Sequence, residues 1–257
     1  MHIIDRYAYS NRIRHVDPAC KTALVVSVLL LCLVLNEPLV GLTAAAGMWA
    51  LAVCVAGLPG RLFGQMLFAE AFFLMLATAG VAVSIGFDAP GSAGPYALRF
   101  GPVWLSSSPE SLALAARLVT RALGGAAAMN FLAMTTPLVD LIDLFRRLGL
   151  PAAIIDVMAL TYRFIFILMD SLDRMYVAQN SRLGYRSWRR AMASAGQLAA
   201  RLFIDAYQRS ERLQTALDSR AYQGELRVLP ATYRRDDTLL LSGFLMVFGL
   251  LIVWSAV

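Results

Sequence analysis

The fold class of this chain is decided by its final residues, which read LLLSGFLMVFGLLIVWSAV from Leu239 to Val257. These 19 residues include no charged side chain, and a helix of about 20 apolar residues crosses the roughly 30 Å hydrocarbon core of a bilayer. The whole chain is 59% hydrophobic and 16% charged, whereas a soluble domain carries about 25% charged residues. The stretch therefore predicts a membrane-spanning helix in an all-α, polytopic membrane protein.

Four further apolar runs precede that helix. Asp17-Pro18 and Ser108-Pro109 each place a capping residue before a proline, which is a helix-start signal, and Gly57 is a stop signal. The five predicted spans are residues 19–35, 38–57, 62–86, 110–134 and 239–257. The segment 87–109 is rich in Gly, Pro and Ser and predicts a loop, and no part of the chain has a strand pattern.

Residues 137–237 differ in composition from the rest, because they contain 15 Arg and 11 acidic residues. Their pattern predicts three helices, which end near Gly149, Gly184 and Gly224. The predicted organisation is therefore a tail with four spans in residues 1–136, a helical segment in 137–237 and a final span in 238–257.

Residues 152–169 are apolar enough to form a sixth span. If they crossed the membrane, the 12 Arg of residues 170–237 would lie outside the cell. If they do not cross, all 15 Arg of residues 137–237 lie on the same side as the basic N-terminal segment, as the positive-inside bias favours. We therefore expect five spans, with the N-terminus and the helical segment in the cytoplasm and the C-terminus outside.

The last helix of the segment is predicted to be amphipathic. Its apolar residues recur at steps of three and four on an otherwise Arg-rich helix, which predicts one continuous packing face. The face consists of Trp188, Ala191, Ala195, Leu198, Leu202, Ala206, Leu213 and Leu217.

Two short stretches at the ends of consecutive helices resemble each other. Each contains Ser-Arg followed by glycine within four residues, and Arg220 follows Arg182 by 38 residues. Glycine just after a helix commonly adopts the left-handed conformation, so both arginines fall in a last helical turn. They could simply complement the helix dipole, but two exposed five-donor groups also suit docking to acidic or carbonyl-lined grooves. The candidate docking residues are Ser181, Arg182, Leu183, Gly184, Ser219, Arg220 and Ala221.

Glu70, Arg117 and Arg121 are charged residues that lie inside predicted spans, away from the span ends. Such residues are costly in lipid and usually form pairs or line a cavity. Glu70 and Arg121 lie at matching depths on antiparallel spans, which predicts an ion pair between them. A substrate or proton path is the alternative.

The sequence contains no familiar catalytic or metal-binding pattern. It lacks a phosphate-binding loop of the G-x-x-x-x-G-K-[ST] kind, a His-Glu-x-x-His motif and a Gly-x-Ser-x-Gly motif. The cysteines and the two histidines lack metal-site spacing, so we predict no metal site, cofactor or catalytic residue. Basic residues between apolar spans indicate cytoplasmic loops and not a nucleic-acid surface. A lipid-processing enzyme that uses Asp140 and Asp143 is one alternative, and a membrane anchor or sensor is another.

The chain resembles the transmembrane T component of energy-coupling-factor (ECF) transporters, in the cobalt/nickel branch called CbiQ-like. The resemblance is carried by the two Arg stretches, by the order of four spans, helical unit and final span, and by an N-terminal motif. The motif reads Asp5-Arg6-Tyr7-Ala8-Tyr9-x-Asn11-Arg12-x-Arg14, followed by Pro18-x-x-Lys21. The family usually has Ala-Arg-Gly-like tripeptides at the Arg stretches, so Leu183 is bulkier than is usual there.

The resemblance implies a non-catalytic scaffold subunit of an importer in the bacterial cytoplasmic (inner) membrane. Residues 137–237 would form a coupling module whose two Arg ends dock on two ABC-type ATPase subunits. A separate membrane S component would bind the substrate, and the branch implies cobalt and a link to cobalamin biosynthesis. Nickel or a vitamin is the alternative substrate.

Overall fold

The computed structural model describes residues 3–35, 37–82, 84–86, 96–100, 103–224, 233 and 237–255. Met1, His2 and residues 87–95 of the predicted loop lie outside the described residues.

The described chain is an all-α, polytopic membrane protein with a small sheet in one connection, and its fold class is as predicted. The helices are α1 (Ile3–Ser10), α2 (Pro18–Val34), α3 (Pro38–Ala50) with a π-helical turn at Leu51–Val55, α4 (Gly60–Ala82), α5 (Pro109–Thr135), α6 (Leu138–Arg147), α7 (Ala152–Asn180), α8 (Trp188–Asp218) and α9 (Asp237–Ser255). The N-terminal helix α1 was not predicted.

The connection between α4 and α5 contains three strands that the sequence analysis missed. They are β1 (Ser84–Gly86), β2 (Tyr96–Phe100) and β3 (Val103–Ser107), in the antiparallel order β1-β3-β2. The prediction of a plain loop was therefore wrong over residues 96–100 and 103–107. The glycines and prolines of this segment predict turns, and the two short runs of apolar and aromatic residues beside them, which suit strands, were not recognised.

Five helices are long and apolar enough to cross a membrane: 38–55, 60–80, 109–135, 152–180 and 238–255. Four of them coincide with predicted spans. Helix α2 has 17 residues and falls just short of that length, whereas α7 qualifies with 29 residues. Length and composition do not decide whether α7 crosses, so the orientation of the termini stays a prediction.

The predicted helix starts have the expected physical basis. The Asp17 carboxylate accepts a hydrogen bond from the Ala19 amide at 3.0 Å, with Pro18 in the first turn. Ser108 caps α5 through a reciprocal pair of bonds with Ser111. Both side chains satisfy amides that a helix start leaves without partners.

The chain divides into two compact units. One, here called the membrane unit, comprises His2–Pro137 and Thr232–Val257, and the other, the α6–α8 unit, comprises Leu138–Ala231. In the membrane unit, α5 packs against α1, α2, α3 and α4. Glycines allow the closest approach, because a Cβ at Gly41 would overlap the Thr120 carbonyl and one at Gly124 would lie 2.9 Å from the Gly41 oxygen.

The N-terminal motif holds the carboxyl end of α5. The Asn11 amide donates to the carbonyls of Ala8 and Thr135 at 2.8 and 3.1 Å. The fully buried Lys21 ammonium donates to the same Thr135 oxygen at 3.2 Å. Because the last carbonyls of a helix lack intrahelical partners and carry partial negative charge, a buried amide and cation stabilise this end.

Candidate docking site at two helix ends

The end of α7 is closed by a specific set of backbone hydrogen bonds. The amides of Ser181, Arg182, Leu183 and Gly184 donate to the carbonyls of Val177, Gln179, Asn180 and Gln179, respectively, at 2.9–3.2 Å. The last bond spans five residues, as in a Schellman-type cap. The cap satisfies the terminal carbonyls and leaves the Arg182 side chain exposed.

The end of α8 has the same cap, shifted by 38 residues. The amides of Ser219, Arg220, Ala221 and Tyr222 donate to the carbonyls of Thr215, Leu217, Asp218 and Leu217, respectively. The serine hydroxyl also donates to the carbonyl three residues back at both ends, to Ala178 and Ala216. Arg182 and Arg220 therefore occupy equivalent positions on two geometrically matched helix ends.

A left-handed residue follows the arginine at each end, and neither one is glycine. Leu183 has a φ of 59° and Ala221 a φ of 53°, and they are the non-glycine residues with positive φ in the described chain. Such a conformation is disfavoured for residues with a Cβ, and for bulky residues it is an outlier. The left-handed residue closes the Schellman-type cap at each end, and here a residue with a Cβ occupies the position that glycine usually takes.

The sequence analysis assigned this left-handed role to Gly184, and that assignment was wrong. Gly184 is absent from the residues with positive φ. A Cβ at Gly184 would lie 2.7 Å from the Ser194 hydroxyl oxygen and 2.9 Å from the Gln179 carbonyl oxygen. Glycine is therefore present because the chain packs too closely there for any side chain.

Side-chain contacts fix the first end. The Tyr185 hydroxyl donates to the Gln179 side-chain oxygen at 2.8 Å, and its ring lies 4.9 Å from that of Tyr176. The Ser194 hydroxyl donates to the Gly184 carbonyl at 3.0 Å. These contacts join the end of α7 to α8 and hold the cap.

The second end is anchored by one strong contact. The Tyr222 hydroxyl donates to the buried Asp156 carboxylate at 2.7 Å, and this bond raises the pKa of the tyrosine above its ordinary value. Asp156 lies near the start of α7, 26 residues before Arg182. At 1.5 Å per helical residue, the two arginine ends are therefore separated by roughly 39 Å along α7.

Between the two ends, α7 and α8 are joined by a polar cluster. The buried Ser171 oxygen accepts from Arg174 at 3.1 Å and from Arg209 at 3.2 Å. Arg209 also pairs with Asp205 at 3.0 Å, and this bond lowers the pKa of the aspartate. Arginine's rigid fork can hold two acceptors at once, so the cluster keeps the two helices in register.

The predicted packing face of α8 is largely present. Ala191, Leu198, Leu202, Ala206, Leu213 and Leu217 are half-buried, whereas Trp188 is 80% exposed and Ala195 is also exposed. Further apolar residues on α8 were not predicted to form a face, because alanines and a glycine separate Met192 from Phe203 in the sequence. These exposed residues, here called the outer stripe, are Trp188, Met192, Phe203 and Tyr207.

The predicted Glu70–Arg121 ion pair does not form. Both Glu70 oxygens accept from the Asn130 amide, at 2.8 and 3.0 Å, and no salt bridge between Glu70 and Arg121 occurs in the described chain. Asn130 lies nine residues beyond Arg121 on α5, which is roughly 13 Å along the helix. Asn130 was not predicted as the partner of Glu70, because its side chain is uncharged and only oppositely charged residues were considered as partners.

Asp143, one of the two carboxylates considered for an enzyme, has an ordinary structural partner. Asp143 accepts from Arg147, one turn later, at 2.9 Å. Among the described residues, no group of three or more His, Cys, Asp or Glu side chains is placed to hold a metal ion.

The sequence matches known transport proteins over most of its length. A sequence model of the family described as "CbiQ: Cobalt transport protein" matches residues 10–230. The chain belongs to the CbiQ family. It is therefore related to proteins that are named as transport proteins.

Individual relatives extend this result. The chain is 39% identical, over 71% of its length and 77% of the relative, to "Cobalt transport protein CbiQ" of Rhodobacter capsulatus. It is 30% identical, over 87% of its length and 37% of the relative, to "Putative fused cobalt transport protein CbiMQ" of Methanocorpusculum labreanum. A shorter match, 31% identical over 38% of this chain and 41% of the relative, is to "Energy-coupling factor transporter transmembrane protein EcfT" of Staphylococcus aureus. This CbiQ-family chain is thus a multi-pass transport component of the ECF kind.

Proposed function

We propose that this chain is the scaffold subunit that couples ATP hydrolysis by two ABC-type ATPase subunits to uptake of a transition-metal ion, with cobalt as the substrate. The observation that carries the proposal is the pair of matched caps at Arg182 and Arg220. The two helix ends share the same backbone hydrogen bonds, the same serine contact and a left-handed residue at the same position. Such a repeated shape suits a partner surface that also occurs twice. Two subunits of one kind, such as ATPases, provide such a surface.

The geometry favours two separate docking points over one. The arginines are exposed and lie roughly 39 Å apart along α7, at 1.5 Å per residue. Between them, Ser171, Arg209 and Asp205 keep the helices in register. A movement of one ATPase at one end would therefore displace both helices together, as in rigid-body coupling.

A substrate-binding membrane subunit is the proposed third partner. The outer stripe exposes large apolar side chains on a helix that buries none of its residues, and contiguous exposed apolar surface commonly marks an interaction site. One relative is named as a fusion of CbiM and CbiQ, which supports a membrane partner held close to this chain. Cobalt is proposed from the names of the family and relatives. The proposed setting is the bacterial inner membrane, with the α6–α8 unit in the cytoplasm.

The test is purification of the tagged chain in mild detergent from cells that express the whole transporter locus, followed by mass spectrometry. We expect two ATPase chains and one small membrane subunit per copy, with cobalt uptake that requires this chain. An Arg182→Ala/Arg220→Ala variant should keep the membrane subunit and lose the ATPases. A wild-type chain that purifies without ATPase, in cells where uptake is intact, would refute the proposal.

A further inference from the structure

The two matched helix ends lie in different electrostatic surroundings, one basic and one near-neutral. Residues 174–204, around the first end, contain six Arg and no acidic residue. Residues 205–224, around the second end, contain three Arg and three acidic residues. The backbone geometry is therefore duplicated between the ends, whereas the charge is not.

The basic residues of the first end are concentrated next to its cap. Arg186, Arg189 and Arg190 lie within eight residues of Arg182, all four are exposed, and no salt bridge in the described chain involves them. Cations this close in the sequence form one local region of positive charge, which physiological salt screens over roughly 8 Å. We call these four residues the basic cluster.

Folding does not account for the basic cluster. Arg189 and Arg190 lie in the first turn of α8, which contains no acidic residue, and a helix start carries partial positive charge. Two cations at that position disfavour the helix. A negatively charged surface on a partner would stabilise two cations at this position.

The second end carries equal numbers of basic and acidic residues, and some of them have partners within the chain. Asp218 accepts from Gln214 at 3.1 Å, Arg209 is bound to Asp205, and Tyr222 is held by Asp156. Arg220 is exposed next to this cap with Asp218 two residues before it, and the exposed Arg212 adjoins the exposed Glu211. A partner at this end meets the cap geometry and a near-neutral surface.

We propose that the two ends bind their partners by different physical means, an inference that rests on the function proposed above. The first end binds an acidic surface on one ATPase through the basic cluster. The second end binds by cap geometry and the hydrogen bonds of Arg220. Attachment at the first end is therefore strong at low salt and sensitive to salt, and attachment at the second end depends little on salt.

An acidic protein surface fits these observations better than anionic lipid. The basic cluster is continuous with Arg182, whose cap recurs at Arg220 with the same five bonds. A lipid surface would not call for a duplicated cap with a strained residue after each arginine. Electrostatic complementarity at the rim of a docking point instead raises association rate and selects the partner.

The test is charge reversal at Arg189→Glu/Arg190→Glu, with Arg201→Glu as the matched control. Arg201 is exposed on the same helix, roughly 16 Å from Arg190 at 1.5 Å per residue. Retention of ATPase by the purified complex is measured at about 50 and about 300 mM salt, in detergent without anionic lipid, since this range spans weak and strong screening.

We expect the double reversal to reduce retention at low salt by at least about tenfold and to flatten the salt dependence, because like charges then face each other across the interface. The Arg201→Glu control should behave as wild type. The melting temperature should stay unchanged or rise, because acids suit a helix start. Equal losses for the double reversal and the control would overturn the inference.

Two further outcomes separate the alternatives. If the double reversal weakens binding of the isolated chain to vesicles of anionic lipid but leaves ATPase retention unchanged, the basic cluster binds lipid and the inference is wrong. If Arg182→Ala/Arg220→Ala releases the ATPases and the double reversal does not, only this inference fails. If neither variant changes retention, the proposed docking function fails with it.

Discussion

Helices α5 and α8 show how differently the two units use a long helix. Helix α5 has 27 residues and buries seven of them, mostly small or apolar, against its own unit. Helix α8 has 31 residues and buries none, although it carries a continuous half-buried face and the exposed outer stripe. The membrane unit is thus stabilised by its own packing, whereas α8 leaves most of its surface exposed.

The polar side chains of the two units differ in the same way, because some are directed into the protein and others are exposed. In the membrane unit, Asn11 and Lys21 point inward and complete the end of α5. In the α6–α8 unit, Arg182 and Arg220 point outward from matched caps. Substitutions in the first group should therefore change stability, and substitutions in the second should change assembly.

The largest expected effect is on assembly. Arg182→Ala/Arg220→Ala should abolish ATPase retention, because truncating one charged hydrogen-bonding group at an interface costs about 2–5 kcal/mol and linked contacts reinforce each other. Each single change should weaken retention, and Lys should restore it only in part, since Lys lacks the planar fork. Co-purification measures the effect, and the melting temperature should stay within about 1–2 °C of wild type, because surface changes are nearly neutral.

The next effect is on the stability of the membrane unit. Asn11→Ala removes the amide that binds the carbonyls of Ala8 and Thr135, and should lower the free energy of unfolding by about 1–3 kcal/mol. Asn180→Ala, at an exposed asparagine of the other unit, is the matched control. Thermal unfolding of the purified chain measures both, and equal melting temperatures would remove the contrast between the units.

A similar or smaller loss of stability is expected at Glu70 and Asn130, which lie within candidate membrane spans. Asn130→Leu leaves the Glu70 carboxylate without its two hydrogen bonds and should destabilise the chain by about 1–3 kcal/mol. Adding Glu70→Leu should recover part of the loss, because no half-buried carboxylate then lacks donors. Strictly additive losses in the double-mutant cycle would mean that the two side chains do not interact in the membrane.

A smaller, pH-dependent effect is expected where α7 and α8 are joined. The pKa of Asp205 is lowered by Arg209, so the folded state favours the ionised carboxylate, and its contribution is present above the ordinary pKa of 3.8. That contribution is lost as the pH falls through the lowered value. Wild type should therefore lose stability relative to Asp205→Asn below about pH 4. A constant difference between the two proteins from neutral to acid pH would contradict this assignment.

The smallest effect is expected at the strained residues. Leu183→Gly removes the cost of a left-handed leucine, about 1–2 kcal/mol, and adds entropy to the unfolded chain, so the net gain should be below about 1 kcal/mol. ATPase retention should be kept, because the cap is unchanged. Leu183→Val should lower both the free energy of unfolding and ATPase retention relative to wild type, since a β-branched residue fits this conformation least.

Much of this structure was predictable from local signals. Proline and capping residues placed the starts of α2, α3 and α5, and the steps of three and four placed most of the packing face of α8. The two Arg stretches were found because Ser-Arg recurred before glycine. Each of these features depends on residues within one helical turn.

The features that were missed depend on contacts between distant residues. Asn130 could not be paired with Glu70 without knowing how α4 and α5 rotate against each other. Leu183 and Ala221 carry no sequence signal for positive φ, because glycine is the residue usually expected there. Tyr222 and Asp156 are 66 residues apart and meet only after α7 and α8 have packed.

The most direct test of the central claim is site-specific photo-crosslinking within the assembled transporter. A photoreactive residue replaces Ser181, Ser219 or Ser210, three exposed serines on α8 or at a helix end, of which Ser210 lies roughly 13 Å from the second end. The account predicts adducts with ATPase subunits from positions 181 and 219 and little from 210. A complex that hydrolyses ATP and imports cobalt, yet gives no ATPase adduct at either helix end, would contradict it.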